Sequence, residues 1–526
     1  MRDDAELTLP SEGELVGNCG TSGKRRMYRV YIPRCAGGWA PAVNSNCQHN
    51  EVAGLLTRQL GQVPSDPLNW STEVCGRVAH LHKLVMKMQV ERWSIDRVVN
   101  SYSGAMRRRY EEAALSLKDE WIVSGDKRLG VFLKGDKFNP SSKVFKPRLI
   151  FPRSPRYNLV LATWLKPLEH ALWKRWKVGH LCKPTRASAK MLNQEQRGRL
   201  IQEKMDSVGD CTVFEVDGKA FEAHVGVKQI VLEQSFYTKA YPGDKELADL
   251  LRCQRTLKGK TSSGIKFSRP GGRASGDFNT GMGNTLLMGT FVSATMDSLC
   301  LTTPWTILAD GDNCLLFVRR SASVSVVEQF SSVMSKHCAH EMEVEKPVNI
   351  IEQVCFGQSN PVYVAGRYVA LRHYLKVLSQ SFCGYKHYHH APFAPRLINA
   401  IASGELALAR GVPVLQAYFS RVCALTAHFK PLKNPSFYLE GHLINAPPDV
   451  GYIEPSLETR LSFERAFGLG AREQVKLEKQ LVDELDRYFL NTITSGKWLK
   501  RIVECVQGTV ANGGENCFED LFVDGA

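Results

Sequence analysis

The chain has 526 residues, of which 43% are apolar and 23% charged, and its formal net charge is +15. At about 150 residues per domain, this length predicts roughly three domains. The ordinary balance of apolar and charged residues excludes wholesale disorder. A net positive charge indicates an anionic partner, which could be nucleic acid, a membrane surface or an acidic substrate.

The positive charge is concentrated in one segment. Residues 101–200 contain 22 Lys and Arg but only 8 Asp and Glu, a net charge of +14, which leaves +1 for the other 426 residues. This excess favours a polyanion-binding segment over a generally basic surface, with binding that weakens as salt rises. The 15 cysteines include no Cys-x-x-Cys pair, which predicts free thiols in a reducing compartment. No secretory signal and no direct transmembrane anchor are predicted.

Apolar periodicity and turn residues predict the regular elements in chain order. Residues 121–163 look extended, and a β-like run at 212–216 ends in Asp217. The glycine-rich, basic segment 258–274 is predicted to be a mobile loop. Two apolar runs around the turn at 310–313 predict a hairpin. Helices are predicted at 71–88, 94–118, 164–176, 228–241, 279–298, 323–337, 397–404, 413–429 and 472–490.

Three short acidic motifs carry the candidate chemistry. Asp217 ends a predicted strand, Ser275-Gly276-Asp277 precedes a predicted helix, and Asp310-Gly311-Asp312-Asn313 forms the hairpin turn. Carboxylates crowded between buried strands repel one another, and a divalent cation relieves that repulsion. Mg²⁺ is usually held by one or two carboxylates together with substrate phosphates. Two metals held by Asp217 and Asp312 could activate an attacking hydroxyl and neutralise a leaving pyrophosphate.

Each acidic motif taken alone has a simpler explanation. Asp-Gly-Asp-Asn is also an ordinary hairpin turn, and Ser-Gly-Asp can cap a helix. The order and spacing of the three motifs favour the catalytic interpretation. The histidine-rich tract at 386–390 lacks an accompanying cysteine pair, which favours a polar loop over a zinc site.

Together the acidic motifs resemble the palm of viral RNA-dependent RNA polymerases, specifically those of plus-strand RNA viruses of the tombusvirus and carmovirus kind. The stretch Asp217–Glu222 matches the first palm motif, an Asp followed five residues later by an acid. Ser275–Asn284 matches the second motif, Ser-Gly-Asp-x-x-Thr-x-x-x-Asn, and Asp310–Asn313 takes the place of Gly-Asp-Asp. Lys346 stands where the family has its palm lysine. Residues 356–362 resemble the family's Phe-Cys-Gln-Ser-x-Pro-Val hairpin.

The resemblance implies an α+β, right-hand polymerase fold in which the palm contains an antiparallel sheet and the thumb is helical. The implied divisions are an N-terminal extension with fingertips at 1–90, fingers at 91–206, palm with the first catalytic motif at 207–235, a fingers insertion at 236–274, palm at 275–370 and thumb at 371–526.

The resemblance also implies the roles of individual residues. The implied catalytic residues are Asp217, Asp312 and Lys346, and the implied metal contacts are Asp217, Asp312 and Asn313. Lys346 would protonate the leaving pyrophosphate, although a solvated lysine is the alternative. The implied nucleotide-binding residues are Lys146, Arg148, Arg153, Glu222, Ser275, Thr280 and Asn284. The implied RNA-binding residues are Lys134, Lys137, Lys143, Arg156, Gln358 and Ser359.

Chemistry supports part of this assignment. Arg148 and Arg153 are forked donors suited to bidentate phosphate contacts, so they are predicted to hold the incoming triphosphate. General binding of the RNA backbone is the alternative for both residues.

Two residues depart from the family pattern. Glu222 replaces an Asp whose implied role is to hold the ribose 2′-hydroxyl, and Asn313 replaces the last Asp of Gly-Asp-Asp. We therefore predict an active enzyme with weakened affinity for Mg²⁺, with Mn²⁺ as an alternative ion. A non-catalytic RNA-binding replication factor is one rival interpretation. A reverse transcriptase is another, but Glu222 and Asn284 favour ribonucleotides.

The implied partners are the viral RNA template, the nascent strand and ribonucleoside triphosphates, together with other viral or host replication proteins. The expected location is the host cytoplasm, in replication complexes that are recruited to intracellular membranes through partners.

Overall fold

The computed structural model describes residues 1–10, 26–142, 146–384, 388, 392–429, 451–489 and 502–504. The α-helices in these ranges are α1 (Gln48–Arg58), α2 (Thr72–Met88), α3 (Ile95–Asn100), α4 (Gly104–Asp119), α5 (Pro155–Arg175), α6 (Gln194–Val208), α7 (Phe221–His224), α8 (Val227–Ala240), α9 (Lys245–Arg252), α10 (Thr280–Ser298), α11 (Ser323–Cys338), α12 (Tyr374–Gln380), α13 (Ala394–Leu408), α14 (Leu415–Leu425), α15 (Leu457–Phe467) and α16 (Ala471–Glu484).

The β-strands in the same ranges are β1 (Glu6–Thr8), β2 (Arg26–Arg29), β3 (Ala42–Val43), β4 (Leu129–Leu133), β5 (Lys137–Phe138), β6 (Leu149–Ile150), β7 (Lys177–Val178), β8 (Thr185–Arg186), β9 (Cys211–Gly218), β10 (Thr256–Thr261), β11 (Lys266–Pro270), β12 (Trp305–Asp310), β13 (Asn313–Arg319), β14 (Met342–Val344), β15 (Ser359–Val364), β16 (Arg367–Arg372), β17 (Cys383–Gly384) and β18 (Ile502–Glu504). This mixture of helices and largely antiparallel sheets agrees with the predicted α+β class.

The central sheet has four antiparallel strands in the order β12, β13, β9, β14. Both faces of β13 are covered, because Leu316 and Val318 join one apolar core while Leu315 and Phe317 join another. A strand buried on both faces reads as a continuous apolar run, which is why 314–318 could be recognised from sequence.

Helices cover the two faces of the central sheet. The long helix α10 packs against β12, α2 and α11, and most of its residues are buried. On the other face α6 contacts β9, β12 and β13, and Leu200 and Ile201 enter the core there. These two helices fix the sheet from both sides and so determine where its acidic edge lies.

A second sheet has five strands in the order β1, β11, β10, β4, β6. One of its faces packs against α1 around Leu55, Leu129 and Phe267. The C-terminal part of the chain is built from the β15–β16 hairpin and α12–α16, which share a separate apolar core. In the part of the chain that the structure describes, no helix is both long and apolar enough to cross a membrane.

Several predicted elements differ from the observed ones. The segment 258–274 is not a mobile loop, because most of it lies in β10 and β11, where Leu257, Thr261, Phe267 and Arg269 are the buried side chains. The extended segment predicted at 121–163 ends earlier, since Ser154 caps α5 and Pro155 begins it. The predicted helix 94–118 is divided into α3 and α4. Of the tract 386–390, only Tyr388 lies within the described residues.

Close packing between α6 and β16 generates a test of this fold. A Cβ atom at Gly198 would overlap the backbone carbonyl of Tyr368, whereas a Cβ at Gly76 on α2 would meet nothing within 4 Å. We expect Gly198→Ala to lower the free energy of unfolding by about 1–3 kcal/mol through overpacking. Gly76→Ala should raise it by about 0.5–1 kcal/mol, since Ala favours a helix interior. Urea denaturation of both variants checks the opposite signs, and equal effects would contradict the packing.

Candidate active site

Two acidic residues meet at one edge of the central sheet. In the strand register Asp217 of β9 lies opposite Asn313 of β13, so the β12–β13 turn projects beside the end of β9. The amide of Gly218 donates to the main-chain oxygen of Asp312 at 3.3 Å. The backbone hydrogen bonds therefore continue up to the turn and bring Asp217 and Asp312 together, as the sequence motifs predicted.

The turn itself is held by side chains from neighbouring helices and loops. Gly311 has a φ of +71°, and its amide donates to Oγ1 of Thr285 on α10 at 2.9 Å. Asp310 forms ion pairs with Lys190 at 2.7 Å and Arg197 at 2.6 Å. Burial alone would raise the pKa of Asp310, but the two cations outweigh it and lower that pKa. Asp310 therefore anchors the turn as a carboxylate.

Asp217 lies in a strongly anionic environment. Burial, followed by the charges of Asp312 and Glu343, raises the pKa of Asp217 to about 6. Within the described residues no three His, Cys, Asp or Glu side chains form a metal cluster. Two carboxylates nevertheless suffice for Mg²⁺, because phosphate oxygens and water complete its octahedral shell. The predicted Mg²⁺ contacts Asp217 and Asp312 thus fit the ion in donor chemistry and charge.

Asn313 has a partner that the sequence did not reveal. Its Nδ2 donates to Oε1 of Glu215 at 2.9 Å, two residues before Asp217 on the same face of β9. Burial raises the pKa of Glu215 to about 7, although the hydrogen bond from Asn313 opposes the rise. The pair Glu215–Asn313 therefore carries one carboxylate, and the amide of Asn313 directs its own oxygen away from Glu215.

The second motif forms a tight loop at the start of α10. The hydroxyl of Thr280 lies 3.0 Å from the carbonyl oxygen of Ala274, and it accepts from the amide of Gly276 at 3.2 Å. This hydroxyl therefore holds the loop together, and a nucleotide contact of Thr280 stays a prediction. Ser275 is partly exposed. Asn284 is only 7% exposed, and its Oδ1 has no hydrogen-bond partner within the described residues.

Arg153 does not lie where a triphosphate contact requires it. It is 3% exposed, it forms a buried ion pair with Asp277 of the second motif, and its Nε donates to the carbonyl of Lys127. The prediction that it holds the incoming triphosphate is therefore not supported by its position. A second buried pair, Arg273 with Glu233, lies behind the same loop. Sequence alone missed both pairs because the partners are 40 or more residues apart.

Other basic residues of the predicted fingers divide into exposed and structural groups. Lys146 is exposed, and the side chain of Arg148 is 49% exposed. Arg148 is close enough to Asp217 to oppose the rise in its pKa that burial and the neighbouring carboxylates cause. Lys134 and Arg148 share Asp136 as an ion-pair partner. These three cations remain accessible to phosphate. Lys143 lies outside the described residues.

Two residues predicted to bind RNA have structural partners instead. Nζ of Lys137 donates to the carbonyl oxygens of Gln380 and Cys383 at 2.8 and 3.1 Å. The guanidinium of Arg156 pairs with Asp126 and donates to Ser116. Both side chains have their donors committed to the protein, so neither is placed for RNA binding.

The remaining predicted residues lie around the site. Lys346 is exposed and follows β14, which pairs with β9 beside Asp217. Gln358 accepts from Lys376, and Ser359 begins β15 and lines a cavity of about 510 Å³ next to α6. Glu222 is partly buried at the start of α7.

Arg58 at the end of α1 is a candidate that sequence reasoning did not select. Burial and Arg148 lower its pKa, whereas Glu222 and Asp312 act in the opposite direction. Its Nε is buried without a hydrogen-bond partner among the described residues. A weak likeness of residues 47–58 (CQHNEVAGLLTR) to the same polymerases is a signal in the sequence that ends at this arginine.

Comparison with known proteins identifies the family. A family model described as viral RNA dependent RNA polymerase matches residues 21–484, so the chain belongs to that family. It is 30% identical over 456 residues to the RNA-directed RNA polymerase of Cymbidium ringspot virus, covering 85% of this chain and 54% of that protein. The polymerase of Tomato bushy stunt virus (strain Cherry) is 29% identical over 449 residues, covering 84% and 54%.

The RNA-directed RNA polymerase of Carnation mottle virus is 30% identical over 404 residues, covering 74% of this chain and 51% of that protein. The resemblance to tombusvirus and carmovirus polymerases is thereby confirmed. The chain spans about half the length of these relatives.

The raised pKa of Asp217 predicts how pH affects stability. The pKa of Asp217 is about 6 in the folded protein and 3.8 in the unfolded chain, so the folded state binds more protons between these values. The free energy of unfolding therefore falls as pH rises from 3.8 to 6, and it keeps this lower value above pH 6. Asp217→Asn removes the charge, and it should raise the Tm of metal-free protein at pH 7.5 by about 1–2 °C, since the partly exposed carboxylate is screened. The gain should shrink below pH 6. The exposed Asp206→Asn is the control, and an equal gain there would contradict the assignment.

The Glu215–Asn313 contact generates a second test. Asn313→Asp replaces a hydrogen-bond donor with a carboxylate beside Glu215, so we expect the free energy of unfolding of metal-free protein to fall by about 1–3 kcal/mol at pH 7.5. Adding Glu215→Gln should recover most of the loss, because an amide then faces the new carboxylate. A double-mutant cycle by urea denaturation measures this coupling. Purely additive effects would show that the two side chains do not interact.

Proposed function

We propose that this chain is an RNA-directed RNA polymerase that replicates and transcribes the genome of a plus-strand RNA virus. The observation that carries the proposal is the meeting of Asp217 and Asp312 at the edge of the central sheet, fixed by the β9–β13 register. Family membership and the names of the relatives support the same activity.

In this proposal the protein positions a primer 3′-hydroxyl and a triphosphate for nucleotidyl transfer. Asp217 and Asp312 would hold Mg²⁺, with Mn²⁺ as the alternative, and the bound metal would supply Lewis-acid activation of the hydroxyl and charge neutralisation at the leaving pyrophosphate. Arg148 and Lys146 are exposed, Arg148 acts electrostatically on Asp217, and both side chains are suited to the triphosphate. Lys346 remains the proposed proton donor to the pyrophosphate, and Arg58 adds a cation near Asp312.

Two residues are suited to reading the sugar. The unpartnered Oδ1 of Asn284 is a buried acceptor, and a ribose 2′-hydroxyl would supply the missing donor. Glu222 lies on α7, which follows directly from the strand that carries Asp217. The two side chains therefore support discrimination in favour of ribonucleotides, with Ser275 at the edge of the same loop.

The right-hand arrangement follows as part of the same proposal. The central sheet with its helices would be the palm, the five-stranded sheet and basic segment the fingers, and the C-terminal helices the thumb. The proposed boundaries are 1–90 for the N-terminal extension and fingertips, 91–206 for the fingers, 207–235 and 275–370 for the palm, 236–274 for the fingers insertion and 371–526 for the thumb. Proposed partners are the RNA template, the nascent strand, ribonucleoside triphosphates and other viral or host replication proteins. The proposed location is cytoplasmic replication complexes that partners recruit to membranes.

A nucleotide-incorporation assay on a short RNA template tests the activity. We expect Asp312→Ala to reduce incorporation by at least about 100-fold while RNA binding persists, because it removes a carboxylate from the metal site without touching the basic residues. Asp206→Ala, which removes an exposed carboxylate from α6, is the matched control. RNA binding by the unmodified chain without any incorporation would overturn the proposal in favour of a non-catalytic replication factor.

A further inference from the structure

A cleft of about 690 Å³ opens on the five-stranded sheet, and six of the 15 described residues that line it are basic. We call it the basic cleft, and its accessible cations are Lys127, which is partly exposed, and Arg128, Lys258, Lys260 and Lys266, which are exposed. None of these five has a carboxylate within 4.0 Å among the residues that the structure describes. Among the residues that the structure describes, Glu6 is the single acidic residue in the lining. The cleft therefore carries a large positive charge that the described protein leaves unneutralised.

The strand register makes this concentration of charge unfavourable by itself. Lys260 of β10 lies directly opposite Lys266 of β11, and both side chains are exposed on the same face. Like charges in directly opposed positions destabilise a sheet. The register between β10 and β4, continued by one residue, places Arg128 beside Lys258. Two neighbouring cross-strand pairs, Lys260 with Lys266 and Lys258 with Arg128, thus each bring two cations together. A bound polyanion would stabilise this arrangement.

An exposed aromatic residue accompanies the cations. Phe132 of β4 is 47% exposed, and it lies on the same face as Gly130, which pairs with Lys260. Gly130 has no side chain to cover the lysines, so the path from Phe132 to Lys260 is open. Basic side chains that follow a phosphate backbone, with aromatic rings on which bases stack, are typical of single-strand nucleic-acid sites.

The basic cleft faces away from the catalytic carboxylates. Helix α1 packs on the opposite, buried face of the sheet, and it contacts α7, which carries Glu222. Arg58 at the end of α1 is within electrostatic reach of Asp312. The catalytic edge therefore lies on the α1 side of the sheet. At the floor of the cleft Arg153 donates to the carbonyls of Lys127 and Cys253 and pairs with Asp277.

We propose that the basic cleft is an accessory binding site for single-stranded RNA, which it holds by the phosphate backbone and by stacking on Phe132, outside the catalytic groove. This inference rests on the proposed polymerase function, since it supplies the RNA. Free nucleoside triphosphates share the phosphate chemistry, but the length of the charged face and the exposed ring favour an RNA strand.

Fluorescence anisotropy with labelled oligouridylate tests the site on the full chain. The oligonucleotide should have about 30 nucleotides, which exceeds the roughly 4–16 nucleotides that one single-strand-binding fold covers. We expect Lys260→Ala with Lys266→Ala to weaken binding about tenfold, and to reduce the slope of log affinity on log salt by about 1.4, since each phosphate contact contributes about 0.7. Lys260→Arg with Lys266→Arg should retain wild-type binding.

A matched control removes the same charge elsewhere. Lys476 and Lys479 are exposed on α16, and replacing both with Ala should leave the affinity and the salt slope nearly unchanged. An equal loss in this control, or wild-type binding by the cleft variant, would overturn the proposal. A raised KM for nucleotides in the cleft variant with unchanged RNA binding would also overturn it, because the cleft would then take free triphosphates.

Phe132→Ala separates stacking from charge. We expect a several-fold weaker affinity with an unchanged salt slope, because the substitution removes no cation, and unchanged affinity would overturn the stacking contact. Incorporation on a short template confined to the catalytic groove should be unaffected by the cleft variants. The anisotropy measurement needs no turnover, so loss of the proposed activity and loss of the proposed cleft are distinguishable outcomes.

Discussion

Repulsion between two carboxylates at the end of a hydrogen-bonded sheet is the constraint around which this molecule is arranged. Asp217 and Asp312 come together because β9 and β13 pair without interruption, and the five residues Cys314–Val318 are fully buried. Burial of apolar surface contributes roughly 25 cal/mol per Å², which is enough for such a core to offset unfavourable charge at its edge. The helices on both faces of the sheet maintain that burial.

The acidic residues near this edge have different partners. Asp310 is paired with Lys190 and Arg197, and Glu215 accepts from Asn313. Asp217 and Asp312 have no cation within 4.0 Å in the described part of the chain. The structure therefore gives Asp310 and Glu215 partners of their own, and it leaves the carboxyl groups of Asp217 and Asp312 accessible to a ligand. Repulsion between unpaired carboxylates is therefore confined to Asp217 and Asp312.

Sequence patterns were sufficient where local chemistry determines structure. The apolar runs of β12 and β13, the turn between them and the long helix α10 were all predicted, because burial on both faces leaves an unambiguous pattern. The strands β10 and β11 were missed, since glycine and lysine obscured the alternation in which Leu257, Thr261, Phe267 and Arg269 are buried. A pattern of period two in a basic, glycine-rich segment is easily read as a loop.

The accessibility of individual charged side chains was the hardest property to predict from the sequence. Lys137, Arg153 and Arg156 look like Lys146 and Arg148 in the sequence, yet the first three are committed to carboxylates or carbonyls that lie 26 to 246 positions away. The excess of positive charge in residues 101–200 is visible in the sequence, but which of these cations remain accessible depends on long-range packing. The same holds for Glu215, whose importance follows only from its contact with Asn313.

The contact between Glu215 and Asn313 also restricts which substitutions positions 215 and 313 can accept during evolution. A single step from Asn to Asp at position 313 would place two acids in contact, and a single step from Glu to Gln at position 215 would remove the only carboxylate of the pair. The first intermediate carries repulsion between two acids, and the second carries no acidic group at this contact. We therefore expect the two positions to vary jointly among viral lineages, so that an acid at one is accompanied by a neutral residue at the other.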